Sequence, residues 1–233
     1  MTMISDSLQA VQANIQCAKM NANRQDAVKL LAVSKAQGAE RLREAYVAGQ
    51  TAFGENYVQE AIVKQSQLGD CDIEWHFIGP IQSNKTQLIA QHFSWVQSVD
   101  RLKIAQRLSH ARGDSLPPLN ICIQVNTSNE ASKSGIDSQA LIELATAIKA
   151  LPHLTLRGVM AIPAPTKDTA RQHEQFTVVR MAFNALQKRG FDVDTLSIGM
   201  SDDYVAAIAE GATIVRIGSA IFGARTPIKK NEE

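Results

Sequence analysis

Lys35 closes the apolar run Leu30-Leu31-Ala32-Val33-Ser34, and the chain then opens into a polar stretch of helical pattern. That spacing places a primary amine at the C-terminal end of a buried strand. Its stem is desolvated and its tip is open. Desolvation lowers the pKa of an ammonium group, and the freed amine attacks aldehydes. A second set of groups lies far along the chain. Ser201 precedes a segment of helical pattern, and Gly218-Ser219 follows the apolar run that contains Arg216. A hydroxyl and unobstructed backbone N–H groups at such turns can hold a phosphate. No Gly-x-x-x-x-Gly-Lys and no Gly-x-Gly-x-x-Gly is present, so nucleotide-binding folds gain no support.

Each of these residues also has a plainer reading. A strand-end lysine is commonly a solvated surface residue, and a serine before a helix is commonly its N-cap. Arg216 sits within an apolar run and needs a partner there, which a structural salt bridge would supply. His76 reads as a hydrogen-bonded core histidine and Asn56 as a cap for the helix after it. Met160 reads as core packing, and the charges from Lys167 to Glu174 as a solvated helix face.

The elements that must position these groups follow an alternating pattern. After an opening helix with Ile4, Leu8, Val11, Ile15 and Ala18 on one face, and Ser5 or Asp6 as its cap, eight apolar runs read as strands. They are Val28–Ser34, Ala52–Gly54, Trp75–Gly79, Trp95–Val99, Ile121–Asn126, Leu154–Ile162, Leu196–Gly199 and Ile214–Ile217. Helical segments are predicted at Ala39–Ala48, Arg101–Arg112 (capped by Asp100), Asp137–Ala150, Thr169–Arg189 and Asp203–Glu210. Gly49, Gly113, Gly190 and Gly211 stand at the ends of four of these. Strand–helix alternation implies parallel strands with right-handed crossovers. Eight units in 233 residues point to a (β/α)8 TIM-type barrel with an extra N-terminal helix. A doubly wound open sheet is the alternative, because periodicity does not show closure. Residues 1–233 read as a single domain, with 224–233 as a flexible tail.

In a barrel of this kind the chemistry gathers at the C-terminal strand ends. Those ends supply Lys35, Glu55-Asn56, Gly79-Pro80 (with His76 within that strand), Asp100, Asn126-Thr127-Ser128, Met160 to Pro163, Gly199-Met200-Ser201-Asp202 and Arg216 to Ser219. Composition limits the remaining classes. The chain is 45% hydrophobic and 20% charged, with a net charge of +1, so no nucleic-acid or membrane surface is implied. No run is long enough to span a bilayer, and the N-terminus lacks the pattern of a signal peptide. Three well-separated cysteines at 17, 71 and 122 fit a reducing cytoplasm, and no metal-binding spacing of His and Cys occurs.

Several blocks resemble one family: Leu31-Ala-Val-Ser-Lys35, Phe53-Gly-Glu-Asn56, Trp75 to Lys85, Gly158-Val-Met160, Ser197-Ile-Gly-Met-Ser201 and Arg216 to Gly223. In order, and over nearly the whole chain, they are similar to the pyridoxal phosphate homeostasis proteins, single-domain relatives of the alanine racemase barrel. The last position that fits the pattern is Arg225. The resemblance implies that Lys35 carries pyridoxal phosphate as a reversible aldimine. It implies that Ser201, Gly218 and Ser219 hold the phosphate, that Arg216 faces the pyridine nitrogen, and that Asn56 and His76 lie near the cofactor. It also implies a homeostatic role with no established reaction and no catalytic residues.

An arginine cannot accept a proton. If Arg216 faces the ring nitrogen, it leaves that nitrogen neutral and weakens carbanion stabilisation. The racemases' second base, a tyrosine from another domain, has no counterpart; Tyr46, Tyr57 and Tyr204 lie in or beside barrel helices. A monomer that takes up and releases its cofactor, with transient contact to apoenzymes, is therefore expected. The alternatives are an amino-acid racemase using the same cofactor and a Schiff-base aldolase acting on a phosphorylated sugar.

Overall fold

The computed structural model describes residues 3–127, 135–136 and 140–223. Ser128, the start of the helix predicted from Asp137, and the tail with Arg225 lie outside the described residues. Eight parallel strands form a closed barrel in sequence order. They are β1 Lys29–Val33, β2 Ala52–Glu55, β3 Glu74–Phe77, β4 Trp95–Val99, β5 Leu119–Gln124, β6 Leu154–Met160, β7 Thr195–Ser197 and β8 Ile214–Ile217. Closure is explicit in the register. β1 pairs with β2 at Ala32↔Phe53 and with β8 at Leu31↔Arg216. The open-sheet alternative is thereby overturned.

Nine α-helices lie among the described residues: α1 Ile4–Asn21, α2 Ala39–Val47, α3 Val58–Gln67, α4 Thr86–His92, α5 Leu102–Arg112, α6 Leu141–Lys149, α7 Thr169–Lys188, α8 Tyr204–Ala209 and α9 Ser219–Phe222. α1 is the extra helix. Its buried stripe of Ile4, Leu8, Val11, Ile15 and Ala18 is the one the spacing predicts. The helix packs on α2, α8 and α9, across the seam where β1 meets β8. Just past its end, Arg24 Nη1 donates to Ile208 O at 2.7 Å and Ala212 O at 2.9 Å. In α7, Phe176, Val179 and Leu186 are fully buried against the barrel's outer wall, each worth about 1.5–3 kcal/mol on transfer from water.

Three helices escape the sequence pattern, and each has a physical reason. α3 buries Val58, Ala61 and Lys64, so a charge stands where periodicity looks for an apolar residue. α4 buries the polar Thr86 with Ile89 and Ala90, which interrupts the apolar stripe, and α9 has 4 residues, too few turns for a period to register. The expected side-chain caps also differ. α1 starts after Met3, and no side chain caps it. α5 starts after Arg101, whose Nη1 is bonded to Asp100 Oδ1 at 2.6 Å, so Asp100 does not cap the helix.

The barrel interior has two faces of different character. Leu31, Val33, Ala52, Ile78 and Ile214 form one apolar cluster, and Trp95, Cys122 and Met160 another. Between them run buried polar side chains: His76, Gln97, Ser197 and Arg216. Among the described residues no helix is long and apolar enough to cross a membrane, and no group of His, Cys, Asp or Glu could hold a metal ion.

Candidate functional site

Strand alternation fixes where Lys35 points. Leu31 and Val33 face the barrel interior, and the period of two sends residue 35 the same way. Lys35 therefore opens onto the C-terminal mouth, where it lines a cavity of about 240 Å³. Asn56, Ser201, Arg216, Gly218 and Ser219 line the same cavity, with Ile78 and Ile162 as apolar walls. Six of the seven site residues expected from sequence thus converge from β1, β2, β7 and β8. His76 is the seventh, and it does not line the cavity.

The backbone on either side of Lys35 is pinned from behind. Lys64 of α3 donates from Nζ to Ser34 O at 2.7 Å, to Glu55 Oε1 at 2.6 Å and to Glu60 Oε1 at 2.5 Å. Ser34 Oγ donates to Glu55 Oε1 at 2.6 Å, and Ala36 N donates to Glu60 Oε1 at 2.6 Å. Ala36 has φ 60, a left-handed conformation that costs a residue with a Cβ about 1 kcal/mol or more. The Glu60 carboxylate offsets that cost by accepting the Ala36 N–H. Burial pushes the Glu55 carboxyl up from its ordinary pKa, and the neighbouring Lys64 ammonium opposes the shift.

Asn56 does not cap α3. The cap position is Tyr57, without a side-chain bond, and Asn56 Oδ1 is buried with no hydrogen-bond partner. The loop after β3 holds Asn56 in place. A Cβ at Gly79 would stand 2.3 Å from Asn56 O, so only glycine lets the two backbones meet. Ser98 Oγ donates to Gly79 O at 2.5 Å and fixes that contact. An orphaned buried acceptor is costly unless a ligand or water satisfies it.

Arg216 is 3% exposed, yet it makes no salt bridge among the described residues, which overturns the structural ion-pair reading. Its Nη1 donates to Ser197 O at 2.7 Å and Ser197 Oγ at 2.9 Å, and its Nη2 to Ala161 O at 2.8 Å. These acceptors are all neutral oxygens. Burial lowers its pKa to about 10, with the Asp203 carboxylate working against the shift. The guanidinium stays charged at neutral pH and presents a cation to the cavity.

The remaining groups on the cavity wall are hydroxyls and backbone N–H groups. Ser219 Oγ lies 3.2 Å from Ser201 Oγ. Ser201 does not cap α8, whose cap position is Asp203. Asp203 Oδ1 instead accepts from Met200 N at 2.6 Å and shapes the turn that carries Ser201. Ser219 and Ala220 begin α9, so their backbone N–H groups fall outside the helical ladder. A Cβ at Gly218 would press to 3.0 Å from Val33 O. Glycine there lets the end of β8 run close beside the end of β1.

His76 serves the interior instead. It is fully buried, stacked on Trp95 with ring centroids 5.0 Å apart, and bonded at both nitrogens. Gln97 Nε2 meets its Nδ1 at 2.9 Å, and Glu74 Oε1 meets its Nε2 at 2.5 Å. The core reading of this histidine holds.

Residues 7–226 match the model of the alanine racemase N-terminal domain. The chain is 57% identical to the pyridoxal phosphate homeostasis protein of Pseudomonas aeruginosa over 226 residues, 97% of each chain. It is 51% identical to the protein of that name from Escherichia coli K12, covering 99% of this chain and 100% of that one. This chain belongs to the pyridoxal phosphate homeostasis protein family. PipY of Synechococcus elongatus PCC7942, solved with pyridoxal phosphate bound, superposes with a TM-score of 0.83 at 36% identity, over 94% of this chain and 100% of that one. The alanine racemase of Corynebacterium glutamicum superposes with a TM-score of 0.70 at 21% identity, over 97% of this chain and 64% of that one. That likeness is one of fold.

Sequence reasoning about this homeostasis-family chain passes over the groups behind the site. Ser34 and Glu55 face outward from the barrel wall, where Lys64 and Glu60 of α3 meet them, and Ser197 and Gln97 lie inside it. One signal was available. Glu60 and Lys64 are four residues apart on one helix face, and Lys64 falls at the helix's buried spacing. A lysine in phase with an apolar stripe requires a buried carboxylate.

Proposed function

We propose that this chain holds pyridoxal 5'-phosphate reversibly at the C-terminal mouth of its barrel, as a carrier that helps keep the cofactor's level in balance. The observation that carries the reading is the convergence of Lys35, Arg216 and the Ser201–Ser219 hydroxyl pair on one cavity. The PLP-bound relative PipY supports it. The residues present suit the group. The cavity offers an amine, apolar walls for a ring, an anion cradle and, at Asn56 Oδ1, a buried acceptor with no partner.

Bound pyridoxal phosphate supplies an aldehyde that condenses reversibly with a primary amine, and a ring that withdraws electrons. Lys35 provides that amine, on a strand end locked by Lys64 and Glu60. Ser201, Ser219 and the amides after Gly218 would hold the phosphate. Arg216 would face the ring nitrogen, which it cannot protonate into a strong electron sink. Tyr46, Tyr57 and Tyr204 do not line the cavity, so no tyrosine is placed as a second acid or base. These features favour holding and release to recipient apoenzymes over turnover.

The test is borohydride reduction of purified, cofactor-loaded protein, followed by peptide mass spectrometry. The expected result is pyridoxal phosphate fixed to Lys35. Fixation to another lysine, or trapping of a sugar phosphate in its place, overturns the reading. Solvent deuterium entering the α-carbon of a common amino acid at enzymatic rates would overturn the carrier assignment and leave the binding site intact.

A further inference from the structure

Four buried side chains inside the barrel, Arg216, Ser197, Gln97 and His76, form one chain with a single direction that ends on Glu74. Arg216 Nη1 donates to Ser197 Oγ at 2.9 Å. Ser197 Oγ donates to Gln97 Oε1 at 2.7 Å. Gln97 Nε2 donates to His76 Nδ1 at 2.9 Å. His76 Nε2 then donates to Glu74 Oε1 at 2.5 Å, and the same carboxylate takes the Lys29 ammonium. Lys29 and Glu74 open β1 and β3, so they stand at the N-terminal mouth. The chain crosses the barrel from that mouth to the cavity at the other.

Each link fixes the next. The Glu74 carboxylate can only accept, so it holds the His76 proton on Nε2. Nδ1 is then an acceptor, which turns the Gln97 amide nitrogen towards it. That leaves Gln97 Oε1 facing Ser197, whose hydroxyl donates to it and keeps its lone pairs for Arg216. With the proton on Nδ1, the amide would turn over. The Ser197 hydroxyl hydrogen would lose its acceptor, and Gln97 Nε2 would meet the same oxygen as Arg216 Nη1. Partly satisfied buried networks rearrange because each unpaired group is costly.

We propose that Glu74, His76 and Gln97 are positioning residues for Arg216, acting through Ser197 from the face of the barrel opposite the cofactor. The inference rests on the cofactor reading above and deepens it. A histidine far from the cavity would thereby help set the geometry of the ring-nitrogen contact.

Two measurements test it. Long-range 1H–15N correlation on the cofactor-free protein should show His76 as the Nε2–H tautomer. Glu74→Leu, which removes the acceptor, should produce a tautomer mixture, and Glu74→Gln, which keeps a carbonyl oxygen there, should not. Titration with pyridoxal phosphate should then show Glu74→Leu binding about tenfold more weakly, with Glu74→Gln within about twofold of the parent. Gln97→Met breaks the chain nearer the cavity and should match Glu74→Leu, which keeps the test decisive if the latter fails to fold. Cys122→Ala loses interior packing outside the chain; it should lower the melting temperature and leave affinity unchanged. Parent-like affinity in both chain-breaking variants overturns the proposal, as does an equal loss in Cys122→Ala. If the parent does not retain pyridoxal phosphate on Lys35, the function reading fails instead, and the histidine tautomers alone judge the chain.

Discussion

The two mouths of the barrel treat charge differently. At the N-terminal mouth, Lys29 pairs with Glu74, and Arg157 pairs with Asp194 while lying 5.0 Å over the Trp95 ring. Gln50 Nε2 bonds Leu30 O and Ala52 O. These groups are answered by the protein itself. At the C-terminal mouth, among the described residues, Arg216 bonds only neutral oxygens, Asn56 Oδ1 has no partner, and two serine hydroxyls face each other. Internal satisfaction marks an end built for stability. Polar groups left for something else mark an end built for a ligand.

Substitutions can break that contrast or sharpen it. The largest effect belongs to Lys35→Ala, which should abolish the borohydride-fixed adduct while phosphate-anchored cofactor still binds; mass spectrometry reads both. Next comes Lys64→Met, which strands the fully buried Glu55. It should cost about 3–5 kcal/mol in denaturant unfolding, and the free charge should draw the end of β1 out of place. Joint replacement of Ser201 and Ser219 by alanine should weaken pyridoxal phosphate about tenfold or more. Affinity for unphosphorylated pyridoxal should not change, and an equal loss for both ligands would remove these serines from the phosphate cradle.

A pH profile reaches the opposite mouth. Burial works to raise the Glu74 carboxyl, but His76 and then Lys29 hold it down at about 2. A depressed carboxyl contributes stability above its unfolded pKa, and that contribution is lost as pH falls. The melting temperature should therefore drop between about pH 4.5 and 2, and Glu74→Gln should flatten that limb. The smallest effect is expected for Arg157→Ala. Its partly exposed pair with Asp194 is worth about 1 kcal/mol or less, and cofactor affinity should not move.

Much of this was legible in the chain, and what was not has a common cause. Alternation of two periods gave the eight strands, because each strand buries both faces and each helix one stripe. The cavity residues were legible from their place at the C-terminal strand ends and from the family resemblance, since a lysine, serine or glycine there has a plainer reading by itself. Closure was not, since the pairing of Leu31 with Arg216 joins residues at opposite ends of the sequence. The pinning of Lys35 by Lys64 and Glu60 was hidden too. It depends on a helix whose buried face carries a charge, and a hydropathy pattern counts that position as exposed. His76 was placed beside the cofactor by resemblance; alternation alone puts it in the interior with Ile78, too deep in the barrel to reach the mouth.

The seam between the first and last strands also has a temporal meaning. The amine arrives with β1, whereas Arg216, Gly218 and Ser219 arrive with β8 and α9, so two sides of the pocket are synthesised at opposite ends of translation. Non-local pairing of that kind is slow to form. A nascent chain short of its final strand has Lys35, Asn56 and Ser201 but lacks Arg216, Gly218 and Ser219. The cavity is completed in the same event that shuts the cylinder, and on the proposed function ligand capture would report that folding is complete.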